Sequence, residues 1–164
     1  MTCDVTINHV HLTDIDIGYF DAQFRLDPSL RQQRDREGLK DGTIDAICSD
    51  LTPLDDNEKL LPFAEATSLE LLLSLTLKWA REANVPLATA LARITSVPAD
   101  VLKLPAGIVS VGFADLCIFG STPPGASIRR CSRARAAIRR SWATNCLHAC
   151  ARRSSRGHVA YEAR

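Results

Sequence analysis

Three groups of side chains in this sequence have types and spacings suited to chemistry. The first is Asp50, which follows the short apolar run Ile44–Cys48 through Ser49. An apolar run of about four to eight residues bounded by turn signals reads as a buried strand. An acid at the carboxyl end of such a strand is where α/β barrels place general acids and bases. On spacing alone the plainer role for the same carboxylate is N-cap of the turn that follows. The second group is His9 and His11. If Val5–Leu12 is a strand, alternation points both imidazoles to one face. That is half of a zinc site, which still needs a third protein ligand, and Asp50 is the candidate. Two solvated or hydrogen-bonded histidines are the plainer alternative. The third group, Cys146, His148 and Cys150, has metal-ligand residue types and lies in an Arg-rich stretch with Trp142.

These residues need elements to position them. Val5–Leu12, Phe24–Leu26 and Thr43–Ser49 are the candidate strands. Pro28–Leu39 is polar and Arg-rich, a surface helix ending at Asp41-Gly42. Ser68–Ala83 is the strongest helix, with Ser68 as N-cap and Glu70 in the first turn. Its leucines and Trp79 make it apolar over most of its circumference, so it needs burial on more than one side. Pro86–Thr95 starts a second helix with Pro at its first position, and Val97–Leu102 makes a third. Ile108–Val111 and Leu116–Phe119 flank the turn Gly112–Asp115 as a small hairpin. Internal repeats, phosphate-binding glycine loops and dinucleotide fingerprints are absent.

A chain of 164 residues is long enough to bury a core. No apolar run reaches about 18 residues, so no membrane-spanning helix is expected. The N-terminus lacks a basic segment followed by an apolar one, so no signal peptide is expected. The six cysteines lack a framework spacing, and a cytoplasmic location with reduced thiols is the expectation. The net charge of +1 conceals two unlike parts. Residues 1–119 carry 10 Lys and Arg against 18 Asp and Glu, a balance of −8. Residues 120–164 carry 10 Arg against the single acid Glu162, a balance of +9. Such asymmetry can mark a nucleic-acid-binding arm.

The words around Asp50 point further. GTIDAICSDLTP (Gly42–Pro53) resembles the last barrel strand and following loop of the dihydroorotases, zinc amidohydrolases of pyrimidine biosynthesis, which read roughly D-G-x-I-D-A-I-x-S/T-D-H-x-P there. Asn8–Glu37 resembles the two preceding strands, in the variety encoded beside aspartate transcarbamoylase. Ser68–Phe119 resembles the family's last helices and the return into its small β-domain. The resemblance implies an α/β fold, a partial (β/α)8 barrel holding the last three strands. A whole barrel needs about 250 residues, and this chain is too short for one. The implied domains are 1–104, partial barrel; 105–119, the start of the small β-domain; and 120–164, a basic tail.

The tail has a second explanation. Near its C-terminus the family carries a word like Q-G-x-N-T-P-F-L-G-Y-E-L-P. GC-rich codons can be chosen for Arg135–Leu147 that, regrouped one base earlier, spell Gln-Gly-Arg-Asn-Thr-Pro-Phe-Leu-Gly-Tyr-Glu-Leu-Pro. Residues from about 120 to 156 therefore resemble the family tail read out of frame, and disorder or fortuitous helix is expected there. Gly157–Arg164 resembles the last strand and its turn, in frame. No specific nucleic-acid partner is expected.

By the resemblance, the activity is zinc-dependent hydrolysis of the cyclic amide of dihydroorotate, with Asp50 as the acid/base. The resemblance also marks departures. Asn8 stands where the family has a metal-binding histidine, followed by His9. Leu51 replaces the histidine after the catalytic acid, and the first-strand His-x-His has no counterpart. The expectation is therefore a chain inactive by itself that binds no zinc. The alternatives are a non-catalytic subunit holding aspartate transcarbamoylase, or a decayed product without function.

Overall fold

The computed structural model describes residues 1–18, 26, 28–49, 71–104, 115–120 and 150–162, and only the backbone of Cys150 and Ala151. Two strands, β1 (Asp4–Thr6) and β2 (Ala46–Cys48), pair in parallel, with Asp4 opposite Ala46 and Thr6 opposite Cys48. A parallel pair cannot be closed by a tight turn, so the chain must cross over between them. The described part of that crossover holds α1 (Ile7–His11), 3-10 turns at Asp14–Ile17 and Gln33–Glu37, and α2 (Gly38–Asp41).

The strand expected over Val5–Leu12 stops at Thr6, and helix α1 takes its place. Thr6 is the extended N-cap of α1, and its hydroxyl oxygen accepts the His9 N–H at 3.5 Å. Ile7 and Val10, three apart, then share the buried face of one turn. Of the expected strand Phe24–Leu26, only Leu26 lies within the described residues, and it is buried outside any strand. The polar helix expected over Pro28–Leu39 is a 3-10 turn running into α2. Leu39 anchors it in the core, and Gly42 stops it in the left-handed region at φ 91°.

The apolar helix is α3 (Leu72–Glu82); its expected N-cap Ser68 lies outside the described residues. Leu75, Leu77, Trp79 and Ala80 are all buried, as a helix apolar around most of its surface requires. Buried Thr76 donates its hydroxyl back to the Leu72 carbonyl at 2.7 Å, which satisfies its polar atom within the helix. α4 (Leu87–Ala92) follows with Pro86 at its N-cap, and α5 (Ser96–Val101) after it. The main core joins Ile7, Val10, Leu39, Ile47, Leu71, Leu75, Trp79, Ala80 and Ala90. A smaller one joins Leu12, Leu26 and Leu30, with Ile17 against it.

Side ties hold β2 in place. The Asp45 N–H donates to the Cys3 carbonyl at 3.0 Å, and the Cys3 N–H donates to the Asp45 carboxylate at 2.9 Å. From the other side, the Ile47 N–H donates to the Arg93 carbonyl, and the Arg93 guanidinium donates to the Asp45 carbonyl, both at 2.9 Å.

The tail corrects an expectation. Cys150–Ser155, placed in the stretch expected to be disordered or helical, is a strand, β4. It is the middle of an antiparallel sheet in the order β3-β4-β5, between β3 (Leu116–Phe119) and β5 (His158–Glu162). Arg156 (φ 50°) and Gly157 (φ 82°) make the two-residue turn between β4 and β5. Positive φ at both positions matches the twist of the flanking strands. The Asp115 carboxylate accepts the Arg156 N–H at 2.7 Å. Residues 121–149 and the expected strand Ile108–Val111 lie outside the described residues. No described helix is long and apolar enough to cross a membrane.

Because Leu75 is fully buried at the centre of the main core, Leu75→Ala is expected to lower unfolding stability by about 2–5 kcal/mol. Leu102→Ala, at a position 66% exposed, should change it by no more than about 0.5 kcal/mol. Urea denaturation followed by circular dichroism checks both.

Candidate functional site

Because Thr6 lies opposite Cys48, the segment Ile7–Leu12 and Ser49 leave the same, carboxyl end of the parallel pair. That is the end at which α/β barrels assemble reactive groups. Asp50 itself, the candidate acid/base, lies outside the described residues. Asn8, the first residue past Ile7 at this end, is completely buried.

His9 and His11 do not share a face. They lie two apart in α1, and residues at that spacing diverge around a helix. His9 Nε2 is 2.8 Å from the Pro28 carbonyl oxygen, so that nitrogen carries the proton and donates. In the neutral ring its Nδ1, 2.8 Å from the Thr6 hydroxyl, is then the acceptor. The ring thus ties the Pro28 segment to the cap of α1.

His11 points the other way. Its side chain is 3% exposed, and Nε2 donates to the Leu75 carbonyl of α3 at 2.9 Å. Nδ1 lies 4.0 Å from the Glu82 carboxylate. Burial pushes the imidazole pKa down to about 4. The bond to Leu75 opposes that shift, as does the Glu82 charge; Lys78 and Arg36 add to it. His11 is therefore neutral at pH 7 and forms no ion pair with Glu82. The sequence reading did not include Thr6, Glu82, Lys78 or Arg36 among the partners of these histidines. A threonine three residues before His9 is a local cap signal. Nothing local could reveal a contact between residues 64 apart in the chain.

Among the described residues, no three His, Cys, Asp or Glu side chains stand close enough together to hold a metal ion. The donor set at His9 and His11 does not fit the zinc that the family resemblance implies. Cys146 and His148 lie outside the described residues, as does the side chain of Cys150. A cavity of about 520 Å³ opens between α3, α4 and β3, lined by Leu77, Ala80, Arg81, Asn84, Val85, Pro86, Leu87 and Phe119. At about 100° per residue, its α3 walls lie on the side of the helix away from Leu75 and Glu82. None of these lining residues belongs to β1, α1 or β2.

Comparison with known proteins gives the lineage. The chain is 39% identical over 127 residues to a dihydroorotase of Ehrlichia chaffeensis, a match covering 72% of this chain and 28% of the relative. It is 38% identical over 128 residues to a dihydroorotase-like protein of Pseudomonas putida, covering 73% of this chain and 30% of that one. A dihydroorotase-like protein of Pseudomonas aeruginosa matches at 38% over 139 residues, 77% of this chain and 33% of that one. The chain thus spans about a third of the length of these curated relatives. No protein-family model matches it. Among solved structures, a D-hydantoinase (dihydropyrimidinase) from Thermus sp. superposes with a TM-score of 0.77 at 16% identity, covering 98% of this chain and 39% of that one. A dihydropyrimidinase from Brevibacillus agri gives 0.79 with the same identity and coverage. At that identity the likeness shows the fold: a partial α/β barrel with a small β-sheet beside it.

The His11 pKa sets a pH dependence. A pKa depressed on folding means that the unfolded chain binds the extra proton first. The stability contributed is complete above about pH 6.5 and is lost as pH falls toward 4. By pH 5 the loss should reach about 2 kcal/mol. His11→Gln should flatten this part of the profile between pH 6.5 and 5, as measured by urea midpoints across that range.

Proposed function

This chain belongs to the family of dihydroorotases and dihydroorotase-like proteins, and from that premise we propose that it is the carboxyl-terminal part of a dihydroorotase-like protein of pyrimidine biosynthesis. By itself it does not open the cyclic amide of dihydroorotate. The observation that carries this reading is Asn8. It stands at the family's metal-binding histidine and is wholly buried at the carboxyl end of β1. A carboxamide does not replace an imidazole as a zinc ligand. Leu51 stands where the resemblance has another histidine, a second departure in sequence. Asp50 is retained, and in any assembly that restores activity it is the general acid/base.

A second reading has support of its own. Two of the relatives are named dihydroorotase-like rather than dihydroorotase. A chain that keeps the scaffold while losing ligand positions suits a non-catalytic subunit, with aspartate transcarbamoylase as the partner that the sequence resemblance suggests.

Two measurements test these readings. The purified full chain should show no interconversion of dihydroorotate and carbamoyl aspartate above buffer, with or without added zinc. Turnover that disappears in Asp50→Ala would reverse the conclusion and make the chain an enzyme. Stoichiometric co-elution with aspartate transcarbamoylase would select the second reading, and separate elution would remove it.

A further inference from the structure

We infer that His9 and His11 form a double hydrogen-bond clamp on α1 and are not a metal-binding pair. The inference concerns the role of the two side chains and holds whether or not the chain turns over substrate.

Geometry excludes a shared ion. On a helix the two residues are about 200° apart, and their rings reach opposite neighbours, the Pro28 segment and α3. Each ring also has its donor committed through Nε2–H to a backbone carbonyl. The acceptor nitrogen of His9 receives the Thr6 hydroxyl. A metal there would have to displace the residue that caps α1. The acceptor nitrogen of His11 faces one carboxylate, Glu82, in a pocket where Lys78 and Arg36 already disfavour positive charge. One imidazole and one carboxylate fall short of the three protein ligands of a catalytic zinc.

The same bonds have a positive role. α1 is five residues long, far below the length at which a helix persists alone. Its exit, Leu12, belongs to the small core, and Ile7 and Val10 belong to the main one. His9 fastens α1 to the segment that brings Leu26 and Leu30 into the small core. His11 fastens it to α3 over the main core. The clamp therefore couples the two cores through one turn of helix.

Imidazole ¹⁵N NMR of the full chain, with zinc added to one equivalent, tests the inference. Both histidines should be Nε2–H tautomers, and their nitrogen signals should not move with zinc. Zinc-dependent shifts at either ring would overturn it. In parallel, His9→Ala and His11→Ala should each raise the unfolded fraction about five- to thirtyfold. Neither should alter zinc uptake, so uptake at other residues of the chain leaves the inference intact. A folded variant that loses zinc bound by the parent chain would overturn it.

Discussion

The parallel pairing of β1 and β2 is the constraint on which the larger body of the structure depends. Each strand is three residues long, and a two-stranded sheet has little stability of its own in water. The pair holds because its surroundings fix it. Asp45 and Cys3 bind one another at the entry, and Arg93 reaches β2 with both its carbonyl and its guanidinium. Ile47 is buried in the same core as Ile7, beneath α3. Once β1 is fixed parallel to β2, the chain leaving Thr6 must turn under α3. That path buries Ile7 and Val10 and sets His11 against the Leu75 carbonyl.

This path explains which parts of the fold were legible in the sequence. α3 was legible because its apolar residues leave little of the helix suited to water. β2 was legible because an apolar run ends at a turn. α1 was misread because Ile7 and Val10 fit a helical spacing while Val5, Ile7 and His9 fit alternation. Over so short a stretch the two periods cannot be separated. The Thr6 cap decides the matter, and its strength comes partly from a ring bond that ties in the Pro28 carbonyl. At the site, residue type and spacing suggest His9 and His11 as a metal pair, with hydrogen-bonded histidines as the plainer alternative. Their actual partners are backbone carbonyls brought in by tertiary packing, which residue type does not encode.

The small sheet shows how composition misleads. Cys150–Ser155 carries two arginines and reads as a continuation of the basic tail, yet it is the central strand. Backbone pairing tolerates this because both faces of the sheet carry exposed positions. Leu116, Ser154 and Val159 form one cross-strand row, and Ile118, Arg152 and Glu162 form another on the same face. Arg152 beside Glu162 is a favourable opposite-charge pair. The turn was the legible part, since Gly157 supplies one of the two positive φ values that a two-residue hairpin requires. Leu116, Ile118 and Val159 remain 42%, 57% and 49% exposed on that face.

A scaffold and its chemistry rest on different residues. The fold superposes on a D-hydantoinase at 16% identity, because burial of Ile7, Leu75 and Trp79 and the pairing of β1 with β2 ask only for shape and apolarity. Catalysis asks for particular atoms at the strand ends. The buried carboxamide of Asn8 can meet the packing demand of the scaffold without being a strong metal donor. His9 and His11 commit ring nitrogens to hydrogen bonds that hold α1 in place. On this view the described histidines at the carboxyl end of β1 are explained by what the fold needs.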